Sequence, residues 1–320
     1  MTTPPADRIG IGLAALGRPA YLTVGRDRDL GSARSVAEMR SRTAEVLDAS
    51  YAGGIRYIDV ARSYGRAEEF AADWLDSRPD VTDVEVASKW GYRYVGDWHL
   101  EADVHEVKDH TLQAFNTQLG ETRAFLGDRL TLYQVHSVTE ESPVLSDVQL
   151  QRALGDLRDD GIRLGLSTSG PRQANVIRAA IDIQVGGAPV FSSVQSTWNL
   201  LEPSAADALS EARGAGMAVV VKECFANGRL APGSADSVGV RRAAQLADQL
   251  GVGLDQLAIA AAVHQQWASR VLSGAATVAQ VESHLAGAGL ALPPQVMDEL
   301  STLREDPDEY WAQRSRRRWS

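Results

Sequence analysis

The chain of 320 residues contains a single cysteine, Cys224. A lone thiol closes no internal disulfide and builds no cysteine metal cluster, so nothing calls for an oxidising compartment, and Cys224 reads as a loop filler. Long apolar runs are missing as well: no stretch approaches the ~20 residues that cross a bilayer. Residues 1–10 carry two prolines and two charges where a signal peptide would have its apolar centre. A cytoplasmic protein with no membrane partner is expected. Basic residues are outnumbered, 32 against 42 acidic ones, and the net charge of −10 repels phosphate backbones, so nucleic acid is not an expected partner. Two motifs are also absent. Gly10-Ile-Gly12 lacks the third glycine and the helix start of a dinucleotide-binding loop. The first apolar run, residues 9–14, lacks the paired histidines of metal-dependent barrel hydrolases. His99, His105 and His110 fall in a loop and a helix at spacings that put no two on one helical face. They are expected at the surface, and no metal site is expected.

What is present is an average globular composition, 44% apolar and 23% charged, arranged in one repeated pattern. Short apolar runs occupy residues 9–14, 56–60, 84–89, 130–136, 162–167, 191–195, 217–222 and 270–273. Amphipathic helical stretches lie between them, marked by signals such as the Ser35/Glu38 capping box and the stop at Gly161. Crossovers of this length require parallel strands, and eight strands suit closure. The pattern predicts a single α/β domain over 1–320, a (β/α)8 TIM barrel with long loops over its C-terminal face; an open doubly wound sheet is the competing architecture. The basic tail, 306–320, reads as a solvated terminus or as a flap over the acidic body.

A barrel presents its working groups where strands end, so the polar residues closing each run are the candidates. Asp59 closes the second run, with Tyr64 in the loop beyond; Lys89 closes the third and His136 the fourth. Singly, each has a structural reading as a turn residue, a rim lysine, a packed aromatic or a core histidine. Together they make chemical sense. An ammonium entering a partly buried strand end needs a countercharge, which Asp59 supplies. A nearby cation is expected to lower the tyrosine pKa, and such a phenol exchanges a proton with a carbonyl or alcohol oxygen while His136 orients that oxygen.

The stretch Gly54-Ile-Arg-Tyr-Ile-Asp59-Val-Ala-Arg-Ser-Tyr64-Gly65 resembles the signature of the aldo-keto reductases. Ala87-Ser-Lys89, Leu132-Tyr-Gln-Val-His136, Gly165-Leu-Ser167 and Val194-Gln195-Ser-Thr-Trp-Asn199-Leu resemble the family's third- to sixth-strand segments, in order, and the resemblance runs over roughly residues 9–285. It implies an oxidoreductase with Tyr64 as proton donor, Lys89 as its pKa-lowering neighbour, Asp59 holding Lys89, and His136 orienting a small-molecule carbonyl or alcohol. It also implies a nicotinamide cofactor, NAD or NADP, with Ser167 and Gln195 near its carboxamide; Thr168, in the same cofactor segment, stands where the family often has an asparagine and removes one carboxamide contact. Lys222 stands where the family commonly has a tyrosine, and Glu223 can neutralise it. Ser273, Gly274, Thr277, Gln280 and His284 fall in the family's phosphate segment, where Gln280 replaces an arginine. That replacement weakens the grip on a 2′-phosphate unless Arg229 or Arg241 substitutes. Tyr21, Trp90, Trp98, Trp198 and Phe225 are the expected pocket walls, and Arg26 and Arg28 are either solvated or meet an anionic substrate. Two alternatives keep the barrel: a nicotinamide-binding regulatory subunit, and an enzyme using the same groups for non-redox acid/base chemistry.

Overall fold

The computed structural model describes residues 5–21 and 29–317. Eight strands close into a parallel barrel in sequence order: β1 (Ile9–Gly12), β2 (Tyr57–Asp59), β3 (Glu85–Trp90), β4 (Leu130–Val138), β5 (Arg163–Thr168), β6 (Ser193–Thr197), β7 (Ala218–Lys222) and β8 (Arg270–Ser273). β1 pairs with both β2 and β8, which completes the ring and leaves no edge. The closed barrel, and not the open sheet, is therefore the architecture, and the strands coincide with the eight apolar runs to within about two residues at each end.

The helices are α1 (Val36–Ala52), α2 (Ala67–Asp76), α3 (Leu112–Leu126), α4 (Val148–Asp159), α5 (Gln173–Ile181), α6 (Ala206–Gly214), α7 (Val238–Leu250), α8 (Leu254–Val263), α9 (Val278–Ala288), α10 (Pro294–Ser301) and α11 (Pro307–Ser315). Their starts follow the capping chemistry. Ser35 and Glu38 form the reciprocal box at α1, and Thr111, Asp147, Ser237, Thr277 and Asp306 each accept an amide of the first turn of their helix. No single helix among the described residues is long and apolar enough to cross a membrane.

Alternation along the strands sets the layers inside the barrel. β3 presents Glu85, Ala87 and Lys89 in turn, β7 presents Ala218, Val220 and Lys222, and β2 presents Tyr57 and Asp59. Tyr57, Ala87, Leu132, Val220 and Leu272 form an apolar cluster separate from the larger one packed between barrel and helices. The polar residues after that cluster come out at the C-terminal rim.

A hairpin and the C-terminal tail reach over the rim. The segment after β3 folds into an antiparallel hairpin, Tyr92–Tyr94 against Glu106–Lys108. His105 and His110 flank its second strand and are buried, whereas His99 is exposed. The surface expectation fails for these two because a hairpin, not a helix, folds them back onto the rim. The His110 Nε2–H donates to the His136 carbonyl at 2.7 Å. From the basic tail, residues 307–315 form α11, which buries Tyr310 and Trp311.

Candidate active site

At the rim Lys89 is fully buried and Asp59 almost so. The Lys89 ammonium donates to Asp59 Oδ1, and to the Val60 carbonyl at 3.0 Å. The other Asp59 oxygen accepts from the side-chain amides of Gln195 at 2.7 Å and Gln134 at 3.4 Å. A buried ion pair holds only when its remaining lone pairs are satisfied, and this one has partners from four strands. The Lys89 Nζ lies 4.8 Å from the Tyr64 ring centroid.

Tyr64 is placed by the backbone. Gly65 has φ +61°, and a Cβ there would lie 2.4 Å from the Gly17 carbonyl oxygen; a Cβ on Gly17 would lie 2.1 Å from that of Tyr64. Only glycine fits at both positions, and the crossing is tied by Arg66 N donating to the Gly17 carbonyl at 2.7 Å. The Tyr64 hydroxyl is 3.5 Å from His136 Nε2, and His136 Nδ1 is 3.4 Å from Ser63 Oγ. Ser137, the next residue, takes φ +53°, a strained rim turn held by its amide donating to Ser167 Oγ at 2.7 Å.

Burial decides the ionisation states. The His136 imidazole is held well below its ordinary range by desolvation, then by Lys89, Lys222 and Arg18, and is neutral. The Tyr64 phenol is raised well above its ordinary value, first by burial and then by Asp59, with Arg18 opposing. The expectation of a lowered tyrosine pKa is thus corrected. Lys89 is already matched by Asp59, so desolvation outweighs the cation, and the phenol keeps its proton.

These groups open into a pocket of about 260 Å³ over the barrel, whose lining includes Tyr21, Asp59, Tyr64, His136, Gln195, Lys222, Phe225, Ser273 and Gly274. All nine were expected from the sequence. Three expected walls face elsewhere. Trp90 follows inward-facing Lys89, so alternation turns it out against Phe115 on α3, 5.1 Å between ring centroids. Trp98 donates Nε1–H to the Arg34 carbonyl and packs edge-on to Phe70. Trp198 packs edge-on to Trp267 beside a separate outer groove. Thr168 also points away, into a buried network with Ser196 at 2.8 Å and Gln173 at 3.3 Å. Ser167 is fully buried and spends its Oγ on Ser137, and Gln195 spends its amide N–H on Asp59.

The opposite side of the pocket is also charged. Lys222 Nζ donates to Thr197 Oγ1 at 2.7 Å, which in turn donates to Glu223 Oε2 at 3.2 Å. Arg314 of α11 closes on both Glu223 oxygens, at 2.5 and 3.0 Å. Burial lowers the Lys222 ammonium to about 8, against the pull of Glu223. Arg314 and Lys222 overcome desolvation to hold the Glu223 carboxyl at about 2. Arg314 is the flap reading of the tail made specific, and sequence reasoning did not place it in the site.

Arg18 was missed too. It is buried, donates to the Ser63 carbonyl at 2.8 Å and to Glu106 of the hairpin at 2.7 Å, and lies over the rings of Tyr21 and Tyr64. Tyr92 and Glu106, also on the hairpin, complete that wall. No periodicity marks such loop residues; the only hint was that their loops follow strands. Arg26 and Arg28 lie outside the described residues.

Could these residues hold a nicotinamide dinucleotide? The Asn227 side-chain oxygen is buried at the pocket with no hydrogen-bond partner among the described residues, and a Cβ on Gly274 would meet open space. Phe225 offers a flat ring, stacked on His284 at 4.2 Å. Thr277 caps α9, whose first-turn amides have no intrahelical acceptor. An orphan acceptor, free space, an aromatic face and a helix start suit such a ligand. Gln280, expected from the sequence to stand where an arginine would grip a 2′-phosphate, donates to Asp29 at 2.9 Å. Arg229 is committed to Glu305 and Asp236, and Arg241 donates to the Ala235 carbonyl, so neither arginine is shown replacing the missing clamp. The Ser273 hydroxyl is bonded to His284 Nδ1 at 2.7 Å. Among the described residues no group of three His, Cys, Asp or Glu side chains is arranged to hold a metal.

Comparison with known proteins agrees with this fold. The Aldo/keto reductase family model matches residues 8–305. D-threo-aldose 1-dehydrogenase from Pseudomonas sp. is 25% identical over 96% of this chain and 98% of its own. Among solved structures, the holo form of aldo-keto reductase AKR11C1 from Bacillus halodurans superposes with a TM-score of 0.70 at 20% identity, covering 93% of this chain and 92% of that one. Glycerol dehydrogenase AKR11B4 from Gluconobacter oxydans gives a TM-score of 0.67 at 20% identity, covering 92% and 90%. With the family's model matched across nearly the whole barrel, the chain belongs to the aldo/keto reductase family.

Proposed function

We propose that this protein is an NAD(P)-dependent oxidoreductase that interconverts a small carbonyl compound and its alcohol. The observation that carries this reading is the convergence of Tyr64, His136 and the Lys89–Asp59 pair on one pocket at the barrel rim. The Tyr64 phenol keeps its proton and donates it to the oxygen of a carbonyl whose carbon is being reduced, and takes it back in the reverse direction. Lys89, fixed by Asp59, sets positive charge beside the phenol when it carries negative charge. Neutral His136 orients the same oxygen by hydrogen bonding. A bound nicotinamide supplies or accepts the hydride. Gln195, Lys222, Asn227, Ser273, Gly274 and the α9 N-terminus would hold the dinucleotide, and Tyr21, Tyr92 and Phe225 would wall the substrate. The aldose dehydrogenase among its relatives supports a sugar or polyol as substrate.

The cofactor preference follows from Gln280 and Asp29. A carboxylate beside an amide, with no guanidinium, favours a ribose hydroxyl over a phosphate, so NADH is accepted at least as well as NADPH. The test is turnover of aldehydes, aldoses and polyols read at the nicotinamide absorbance, with both cofactors at equal concentration. Tyr64→Phe should lower kcat about 10²- to 10⁴-fold. A loss of only a few-fold would remove Tyr64 as proton donor, and an NADPH preference above ~100-fold, worth ~2.7 kcal/mol, would overturn the cofactor reading.

A further inference from the structure

The opposite end of the barrel carries a second concave site. It encloses about 570 Å³, and its lining includes Asp7, Arg8, Tyr57, Glu85, Arg163, Ser193, Arg213 and Arg270. Four arginines and two acidic residues line it, in a chain whose overall charge is −10, and the Arg8 guanidinium donates to the Gln265 and Ala268 carbonyls at 3.0 and 2.7 Å. Glu85, at the start of β3, is shared: Arg163 of β5 donates to one oxygen at 2.5 Å and Arg270 of β8 to the other at 2.8 Å. One carboxylate thus faces two guanidiniums. Among the described residues the Arg213 guanidinium makes one long hydrogen bond, 3.4 Å to Ser269 Oγ. Each guanidinium carries five N–H donors, and these contacts use few of them.

Beneath the arginines are two hydroxyls that the fold leaves unsatisfied. Tyr57 Oη and Ser193 Oγ are both buried without a hydrogen-bond partner among the described residues. Arg270 lies over the Tyr57 ring at 4.8 Å. A buried hydroxyl with no partner is costly, and a native fold rarely keeps two at one end of a barrel without use. Donors converging from β2, β5, β6 and β8, with excess positive charge, match a tetrahedral dianion better than a planar carboxylate.

We propose that the barrel floor is a binding site for a phosphate group, held by Arg163, Arg213 and Arg270 with the Tyr57 and Ser193 hydroxyls. It is separated from the rim by the apolar cluster containing Ala87, Leu132, Val220 and Leu272. It therefore stands whether or not the rim performs the redox chemistry.

The test is calorimetric titration of inorganic phosphate, with chloride holding ionic strength constant, into the wild type, Arg213→Gln, Tyr57→Phe and Ser193→Ala. One saturable site is expected in the wild type. Arg213 is exposed and lightly bonded, so its replacement folds, and phosphate binding should weaken about tenfold, the value of one charge-assisted contact. Tyr57→Phe and Ser193→Ala should weaken binding too, yet raise Tm in phosphate-free buffer, because each deletes an unpaired buried hydroxyl. A parallel titration with glucose 6-phosphate separates sources: tighter binding assigns the site to a phosphorylated metabolite, equal or weaker binding to free phosphate. Absence of saturable binding, or equal affinity in the wild type and all three variants, overturns the proposal.

Discussion

The two sides of the rim pocket solve the same electrostatic problem differently. Over β2–β4, a buried cation meets its carboxylate through adjacent strands: Lys89 and Asp59 are set by sheet register, with Asp59 paired opposite Ala87. Over β7, Glu223 meets Arg314 only because α11, about 90 residues further along the chain, packs back across the barrel mouth. The first pair is as permanent as the barrel. The second lasts only while the tail stays docked, and Glu223 itself sits at φ +57°, a conformation costly for a side chain with a Cβ. Under the proposed function, the strand-built side would carry the fixed chemistry and the tail-built side would admit and release a ligand.

The largest effect that sharpens this contrast is expected from Lys89→Met. It leaves Asp59 charged and enclosed, and should cost about 3–5 kcal/mol in denaturant unfolding as well as activity. A loss below about 1 kcal/mol would show that this side is not locked.

A pH effect comes next. His110, beneath the hairpin, is lowered from 6.5 to about 4 by burial and then by Lys108. Between those values the unfolded chain binds more protons than the folded one, so stability falls as pH drops from 6.5 toward 4, by at most about 3 kcal/mol from this group. His136 and His284 are depressed in the same sense, first by burial, and share the window. His110→Gln should flatten the acid limb of unfolding curves measured between pH 7 and 4.5; an unchanged limb would mean that the imidazole is not enclosed.

The smallest effect is expected from Arg314→Gln. Releasing Glu223 from the tail should raise KM for cofactor or substrate about tenfold while kcat changes little, since no proton-transfer group is touched. An equal fall in kcat at constant KM would place Arg314 with the fixed chemistry and erase the distinction.

This contrast also explains what could be read in the sequence. Asp59, Lys89 and His136 each close an apolar run, so strand ends located them, and the Tyr64-Gly65 pair marks a turn that only glycine permits. Trp90 was misplaced although the information was there: period-two alternation sends it to the opposite face from Lys89. Arg18, Tyr92, Glu106 and Arg314 could not be found in this way. They reach the pocket through loops, a hairpin and a C-terminal helix, whose paths depend on tertiary packing and leave no periodic trace. The Tyr64 pKa was misjudged in direction because charge can be read from a sequence, whereas depth of burial cannot.

The glycine crossing beside the phenol has a mechanical consequence. With Gly17 and Gly65 in contact and bonded through Arg66, the first loop and the tyrosine turn are riveted together. A fluorophore attached near residue 21 would therefore report on the surroundings of the Tyr64 hydroxyl. Widening either glycine to alanine would prise the two segments apart and shift that oxygen without altering any group that performs chemistry.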